Sequence, residues 1–301
     1  MQLRLVRYFL ALVKEKHFAR AADVCGVTQP TLSAGLTALE RQLGKRLIVR
    51  DRRFISLTPE GQALLPWARQ MVAAQDGMAA AISATSGPIQ GEFRLGAIPA
   101  ALPFTGEMAK MLFETQPALS LSVRSLTSRE IVRGLTEFEL DGGLTYLDHE
   151  PPADVLSVPL FSERYRLVVR EGHSLAGRSA ITVADAAELP LCLLHQGMQN
   201  RRILDARLAE RGLALRPLVT ADSYIALLGL VQHGRLCSII PDSHATLLRG
   251  LSWARTQPLP NMEEGSRVGV IVSNSAPMGP LAQAVLGVAR DLRLPPGFRA
   301  T

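Results

Sequence analysis

The stretch from Phe18 to Leu43, FARAADVCGVTQPTLSAGLTALERQL, reads as two short helices around a tight turn. Phe18, Ala21, Ala22 and Cys25 fall at i, i+3, i+4 and i+7, which gives the first helix one apolar stripe to bury. Gly26 and Val27 make the turn. Leu32, Leu36, Leu39 and Leu43 repeat the helical spacing, leaving Pro30, Ala34, Thr37 and Arg41 on the far side, flanked by Thr31 and Ser33. A short helix with a small, polar outer face suits the DNA major groove.

Thr28 can cap that helix through its hydroxyl, and Pro30 sits in the first turn, where a missing N–H costs little. For Thr28 and Pro30 capping is the leading role and base contact the second. Gln29 at the tip offers a donor and an acceptor together, which matches adenine N6 and N7, so for Gln29 and Ser33 base contact leads.

Charge points the same way. Residues 1–90 contain 12 Lys or Arg against 6 Asp or Glu, whereas residues 91–301 contain 21 of each, so the whole excess of +6 lies in the first segment. Phosphate neutralisation supplies most non-specific DNA affinity, so a basic head on a neutral remainder fits a DNA-binding module joined to something else. Arg50, Arg52 and Arg53, the densest basic cluster of this segment, precede Phe54-Ile55-Ser56-Leu57, which reads as a wing strand. A solvated basic turn is the competing reading.

Residues 1–62 resemble the winged helix-turn-helix of LysR-type transcriptional regulators. The resemblance rests on Tyr8-Phe9, Phe18, Ala21-Ala22, Thr28-Gln29-Pro30-Thr31-Leu32-Ser33, Leu39-Glu40, Leu43-Gly44, Leu47, Arg50 and Leu57-Thr58-Pro59-Glu60-Gly61. Ala34 and Thr37 depart from it, because relatives often carry Arg and a basic residue there. The expected DNA contacts are therefore Gln29, Pro30, Thr31, Ser33, Thr37, Arg41, Arg50, Arg52 and Arg53.

At 301 residues, 47% apolar, the chain is long enough for two or three domains with separate cores. No apolar run approaches the roughly 18 residues of a membrane span, and Arg4 and Arg7 fall inside an amphipathic helix, so a cytoplasmic protein is expected. Cys25, Cys192 and Cys237 fit neither a zinc site nor a disulfide framework and read as buried hydrophobes. No metal and no cofactor is expected.

Thr58 and Pro59 open a further helix to about Ser83, in which Leu64, Ala68, Met71, Gln75, Met78 and Ile82 are spaced 4, 3, 4, 3, 4. Such a seam predicts a coiled coil with a second copy, through Leu64, Met71, Met78 and Ile82; packing onto its own head is the alternative. Pro66 is placed to bend the helix, and Ser83 to Gly91 reads as a hinge.

From Gly91, strands near 92–98, 119–125, 141–147, 165–170, 190–194, 216–221, 236–240 and 267–273 alternate with helices, the pattern of parallel α/β sheets. The fold class is therefore α/β. The resemblance implies a winged helix-turn-helix over 1–58, a linker and dimerisation helix with hinge over 59–90, and a two-lobe α/β effector-binding domain over 91–301, similar to periplasmic binding proteins. Lobe one would comprise about 91–162 and 267–293, and lobe two about 163–266.

Open α/β sheets bind ligands at the carboxyl ends of strands. Four loops qualify: Ile98-Pro99-Ala100-Ala101, Thr127-Ser128, His195-Gln196-Gly197 and Asp222-Ser223-Tyr224. Thr127 and Glu130 fit a capping box, which leaves Ser128 the better ligand contact, and Asp222 reads as an N-cap. The expected effector contacts are Pro99, Ala100, Ala101, Thr127, Ser128, His195, Gln196, Asn200 and Tyr224. Arg201 and Arg202 either favour an anionic ligand or simply face solvent.

The expected protein is a DNA-binding regulator modulated by a small anionic metabolite between the lobes. Its partners would be operator DNA, the effector, one or three further copies of itself and RNA polymerase. A thiol-based redox regulator and an effector-independent DNA-binding protein are the alternatives. An enzyme is disfavoured, since the chain has no Gly-rich phosphate loop, no nucleophile elbow and no metal cluster.

Overall fold

A computed structural model describes residues 2–50, 54–85, 87–176, 181–260, 262, 265–294 and 298, with the side chain of Arg50 excepted. The chain divides into two compact units, 1–87 and 88–301.

The first unit comprises α1 (Leu3–Glu15), α2 (Phe18–Val24), α3 (Gln29–Leu43), β1 (Ile48–Arg50), β2 (Phe54–Leu57) and α4 (Pro59–Ala84). Leu5, Phe9 and Leu12 of α1 join Ala21 and Ala22 of α2 and Leu32, Leu36 and Leu39 of α3 in one buried cluster, as the leucine spacing predicts, whereas Leu43, in the last turn of α3, is 40% exposed and outside it. Thr28 caps α3, its hydroxyl accepting from the Thr31 N–H, and Gly44 ends the helix in the left-handed conformation. The β1 and β2 strands pair antiparallel as the wing, and the Glu40 carboxylate accepts from the Leu47 N–H at 2.9 Å to hold the wing's root.

In α4 the exposed seam differs from the predicted one. Leu64, Ala68 and Met71 pack against the head's own core, so the intramolecular alternative describes that half of the helix. Trp67, Met78 and Ile82 stay 60–66% exposed. Together with Ala74, spaced 7, 4 and 4, they form an apolar stripe displaced around the helix from Leu64. α4 runs unbroken past Pro66.

The second unit opens with β3 (Gly91–Ala97), a 3-10 turn over Pro99–Phe104, α5 (Thr105–Thr115), β4 (Leu119–Ser125), α6 (Ser128–Thr136), β5 (Gly142–Tyr146) and β6 (Val155–Glu163). It continues with β7 (Tyr165–Arg170), α7 (Val183–Ala187), β8 (Cys192–Leu194), α8 (Gln199–Ala209), β9 (Val219–Ala221), α9 (Tyr224–His233), β10 (Ser238–Pro241) and α10 (Asp242–Leu247). β11 (Ala254–Pro258), β12 (Ser266–Ser273) and α11 (Pro280–Asp291) complete it. One sheet has the order β4-β3-β5-β12-β6, a second β10-β7-β11, and a β8-β9 pair is joined to β10 by the Leu191–Cys237 bridge.

Two strands escape the sequence reading. β6 carries Pro159 in its middle, where the pairing with β12 is irregular, and β11 (ARTQP) is a polar edge strand. The sheets are also mixed, not parallel: β12 runs antiparallel to both β5 and β6, and β7 antiparallel to both neighbours. Chain passage between the sheets explains it. β6 leads through Arg164 directly into β7, and β12 returns after β11, so both crossing segments meet their new sheet from the opposite end.

The apolar cores follow this division. Tyr165, Leu167, Val169, Leu193, Leu204 and Ile239 lie in a cluster of the second sheet. A larger one joins Phe93, Leu95, Leu144 and Val270 of the first sheet to Val168, Leu194, Tyr224 and Ile240 of the second, so the lobes are packed together.

Candidate functional site

At the head, Gln29, Pro30, Thr31 and Arg41 are exposed along one side of α3, with Ser33 and Thr37 half-buried beside them. The Thr31 hydroxyl lies 2.8 Å from that of Thr28, and the Thr37 hydroxyl donates to the Ser33 carbonyl at 3.0 Å. Both are thus partly engaged by their own helix. Arg52, Arg53 and the side chain of Arg50 lie outside the described residues.

In the second unit, a cleft between the lobes is lined by Pro99, Ala100, Thr127 and Ser128 from lobe one and by Met198, Gln199 and Asn200 from lobe two, with Tyr146 in its wall. Thr127 is held in its capping box, its N–H and hydroxyl both donating to Glu130 at 2.8 Å, which leaves Ser128 the hydroxyl at that edge. The same bonds hold the Glu130 carboxyl below its ordinary range.

Behind the cleft wall lies a buried polar network that joins the lobes. Asn200 Nδ2 donates to the Tyr146 hydroxyl at 2.7 Å and to Glu163 Oε1 at 2.9 Å, and the Tyr146 hydroxyl donates to the same oxygen at 2.5 Å. The Tyr224 hydroxyl donates to Asn200 Oδ1 at 2.9 Å, and that of Tyr165 to the Asn200 carbonyl at 3.0 Å. Three of the chain's 4 tyrosines therefore converge on one asparagine. Burial is the main force on every acid here: it pushes the Glu163 carboxyl up to about 8 and all three phenols well above their ordinary range. His244, its ring centroid 4.1 Å from that of Tyr224, is pushed down to about 3 by the same desolvation.

Of the predicted effector contacts, Pro99, Ala100, Thr127, Ser128 and Asn200 come together around the cleft. Ala101 is buried beneath them, and Tyr224 reaches the site through Asn200. His195 and Gln196 are exposed and outside the lining; His195 Nδ1 accepts from the Gly197 N–H at 3.0 Å, closing a local turn. Asp222 is exposed, and α9 has Ser223 at its N-cap without a side-chain bond. Neither arginine serves as an anion anchor: Arg201 is buried against Asp205 and the Leu194 carbonyl, and Arg202 pairs with Glu150 and the Gly197 carbonyl.

Sequence reasoning missed Tyr146, Glu163, Met198 and Gln199. A signal existed for Glu163, a lone carboxylate in the apolar run 158–169, VPLFSERYRLVV.

The Cys237 thiol lies 3.7 Å from His173 Nε2. Cys192 and Cys237 are buried and burial raises both, Cys237 to about 11. Leu191, not Cys192, is the bridge partner of Cys237, so the two side chains project to opposite faces of the sheet, into different clusters. Cys25, in the head, is also raised by burial.

A winged helix-turn-helix in one unit and a two-lobed, cleft-bearing α/β fold in the other define a DNA-binding protein with a sensory domain. Residues 3–62 match the bacterial regulatory helix-turn-helix protein, lysR family, and residues 86–293 match the LysR substrate binding domain. The chain belongs to the LysR family of transcriptional regulators. It is 32% identical over 273 residues to a probable hydrogen peroxide-inducible genes activator of Mycobacterium avium, which covers 90% of this chain and 88% of that protein. In fold it is similar to a full-length OxyR from Pseudomonas aeruginosa with a cysteine replaced by aspartate (TM-score 0.74, 24% identity, 98% of each chain). The full-length CbnR complexed with its target DNA is a further neighbour (TM-score 0.72, 22% identity, 97% of this chain and 100% of that one). No helix among the described residues is long and apolar enough to cross a membrane.

Proposed function

We propose that this chain is a cytoplasmic, non-enzymatic regulator that binds operator DNA through α3 and the wing as a homodimer. Its grip on DNA is set by a small molecule held in the cleft between the lobes. The observation that carries the reading is the cleft itself, where residues of both lobes surround one site and the Asn200–Glu163–Tyr146 network ties that site to the strand crossing at Arg164. A ligand that favours one lobe arrangement shifts its population, with a coupling of about 1–3 kcal/mol.

Exposure of Gln29 at the start of α3 supports base readout there. Gln29→Ala is expected to weaken operator binding by about 1–3 kcal/mol while leaving binding to random DNA unchanged. Gel shifts against both DNAs check this, and an equal loss on the two would assign Gln29 a positioning role instead.

The dimer seam is assigned to Trp67, Met78 and Ile82, the apolar residues of α4 left exposed. Trp67→Glu with Met78→Glu should turn a dimer into a folded monomer in sedimentation and cut operator affinity by more than about tenfold, since two half-sites are no longer bound together. Unchanged sedimentation would remove α4 from the interface. The name of the Mycobacterium avium relative raises a peroxide response. The buried, raised thiols of Cys192 and Cys237 favour a bound effector over thiol oxidation in this chain.

A further inference from the structure

Outside the cleft, a wider groove lies on lobe one between α6 and the loop that joins β5 to β6. Its volume is about 460 Å³, within the range of roughly 300–1,000 Å³ that small-molecule sites occupy. α6 buries Ile131, Gly134 and Leu135, which leaves Arg129 and Arg133, four residues apart on one side of the helix, to line the groove. Val132, Pro151, Pro152 and Ala153 supply apolar lining. The loop is held without any ligand: Asp148 accepts from the Arg267 N–H at 2.7 Å and from its Nε at 2.6 Å, and the two prolines restrict the backbone that follows. Little ordering cost is therefore left for binding.

The lining carries two cations and two carboxylates, and the carboxylates are the better satisfied. Two nitrogens of Arg202, in α8 of lobe two, hold Glu150 at 2.9–3.1 Å, and Glu137 is engaged as well. Arg129 stands farther from Glu150, at 3.8 Å, with 78% of its side chain exposed. Arg133 is exposed, and its pull on the Glu130 carboxyl is minor beside the two bonds from Thr127. An anion entering the groove thus meets two loosely held guanidinium groups, whereas a cation would have to displace Arg202 from Glu150.

We propose that this groove is a second ligand site, separate from the cleft, for a small monocarboxylate with a compact aliphatic tail. The carboxylate lies between Arg129 and Arg133, and the tail packs on Val132, Pro151, Pro152 and Ala153. Ser128 borders both spaces and Glu150 ties the groove to lobe two, so an occupant bears directly on the contact between the lobes.

4-Methylpentanoate and 4-methylpentanamide test the proposal, because they share a tail and differ in charge. On the full-length chain at about 0.15 M salt, ligand-observed NMR titration should show saturable binding of the carboxylate, at least about tenfold tighter than the amide. Arg129→Gln and Arg133→Gln should each weaken it about fivefold, and both side chains are exposed, so neither change threatens the fold. Ala153→Trp, which fills the apolar side of the groove, should abolish binding. Saturable binding of neither compound, or an amide that binds as tightly as the acid, overturns the proposal. So does carboxylate binding indifferent to both arginine variants. Binding that the arginine variants weaken but Ala153→Trp leaves intact overturns it too, since that is ionic attraction to the surface of α6 alone.

Discussion

Gly61→Ala is expected to unfold or badly loosen the DNA-binding head while leaving the second unit intact. Gly61 sits in the first turn of α4, and a Cβ there would lie 2.0 Å from the Leu47 carbonyl oxygen and 3.0 Å from its carbon. The obstacle is backbone, so no rotamer change relieves it. Nor can the segment slide away cheaply, because the Leu47 carbonyl accepts from the Thr58 N–H at 3.0 Å and the Thr58 hydroxyl donates to the Arg46 carbonyl at 2.7 Å. The same hydroxyl caps α4 by accepting from the Gly61 N–H at 3.0 Å. One methyl group therefore forces the wing's root away from the start of α4, at a cost of about 3 kcal/mol. For a unit of this size the head's melting midpoint should fall by more than about 10 °C, and operator binding should go with it. Gly77→Ala is the control: the space around its Cβ is open and the residue is inside the same helix, so it should stabilise by about 0.5–1 kcal/mol. Circular dichroism melts of the two variants decide the matter, and a Gly61→Ala midpoint within about 2 °C of wild type would show that the wing's root yields more readily than its hydrogen bonds indicate.

Local rules made much of this architecture legible in the sequence. The leucine spacing of α3, the Thr-Pro caps of α3 and α4 and the Thr127–Glu130 capping box all act within one turn of helix, and each is present in the structure. Burial that depends on distant residues was not legible. The choice between Leu64 and Trp67 as the exposed edge of α4 is made by the head's core, which covers Leu64, Ala68 and Met71 from across the unit. The cleft shows the same division. Its lobe-one loops were found from strand ends and Asn200 from the helix that follows, but the remaining lobe-two contact falls on Gln199 and not on His195 and Gln196, whose turn is closed by the His195 ring accepting from the Gly197 N–H. Gly142 and Gly143 lie in β5, within the strand expected near 141–147, but the reason that glycine stands there is long-range: a Cβ at either would strike Phe93 or Ile131.

The buried network gives the second unit a distinct response to pH. Glu163 moves from an ordinary value of 4.5 up to about 8, with burial the largest cause, the nearby Asp242 adding to it and the bonds from Tyr146 and Asn200 and the charge of Arg207 opposing it. Between those two values the unfolded chain has released this proton and the folded chain still holds it, so stability falls as pH rises from 4.5 through 8. His244 behaves in the opposite sense. Its value drops from 6.5 to about 3, so the unfolded chain takes up a proton that the folded chain refuses, and stability falls as pH drops below 6.5. Where the two windows overlap, from pH 4.5 to 6.5, the slopes oppose each other and the two contributions together are nearly level. Above pH 6.5 only the Glu163 loss continues, amounting to about 2 kcal/mol by pH 8 at about 1.4 kcal/mol per unit. Glu163→Gln keeps an acceptor for Asn200 and Tyr146 and carries no proton to lose. It should match wild type within about 1 kcal/mol near pH 6 and exceed it by about 2 kcal/mol at pH 8 and above. Urea unfolding of the full-length chain across this range, following the second unit by the near-ultraviolet signal of its buried tyrosines, measures both curves. An alkaline decline that persists unchanged in Glu163→Gln would place the responsible group elsewhere and leave the carboxyl ionised inside its cage of hydroxyl and amide donors.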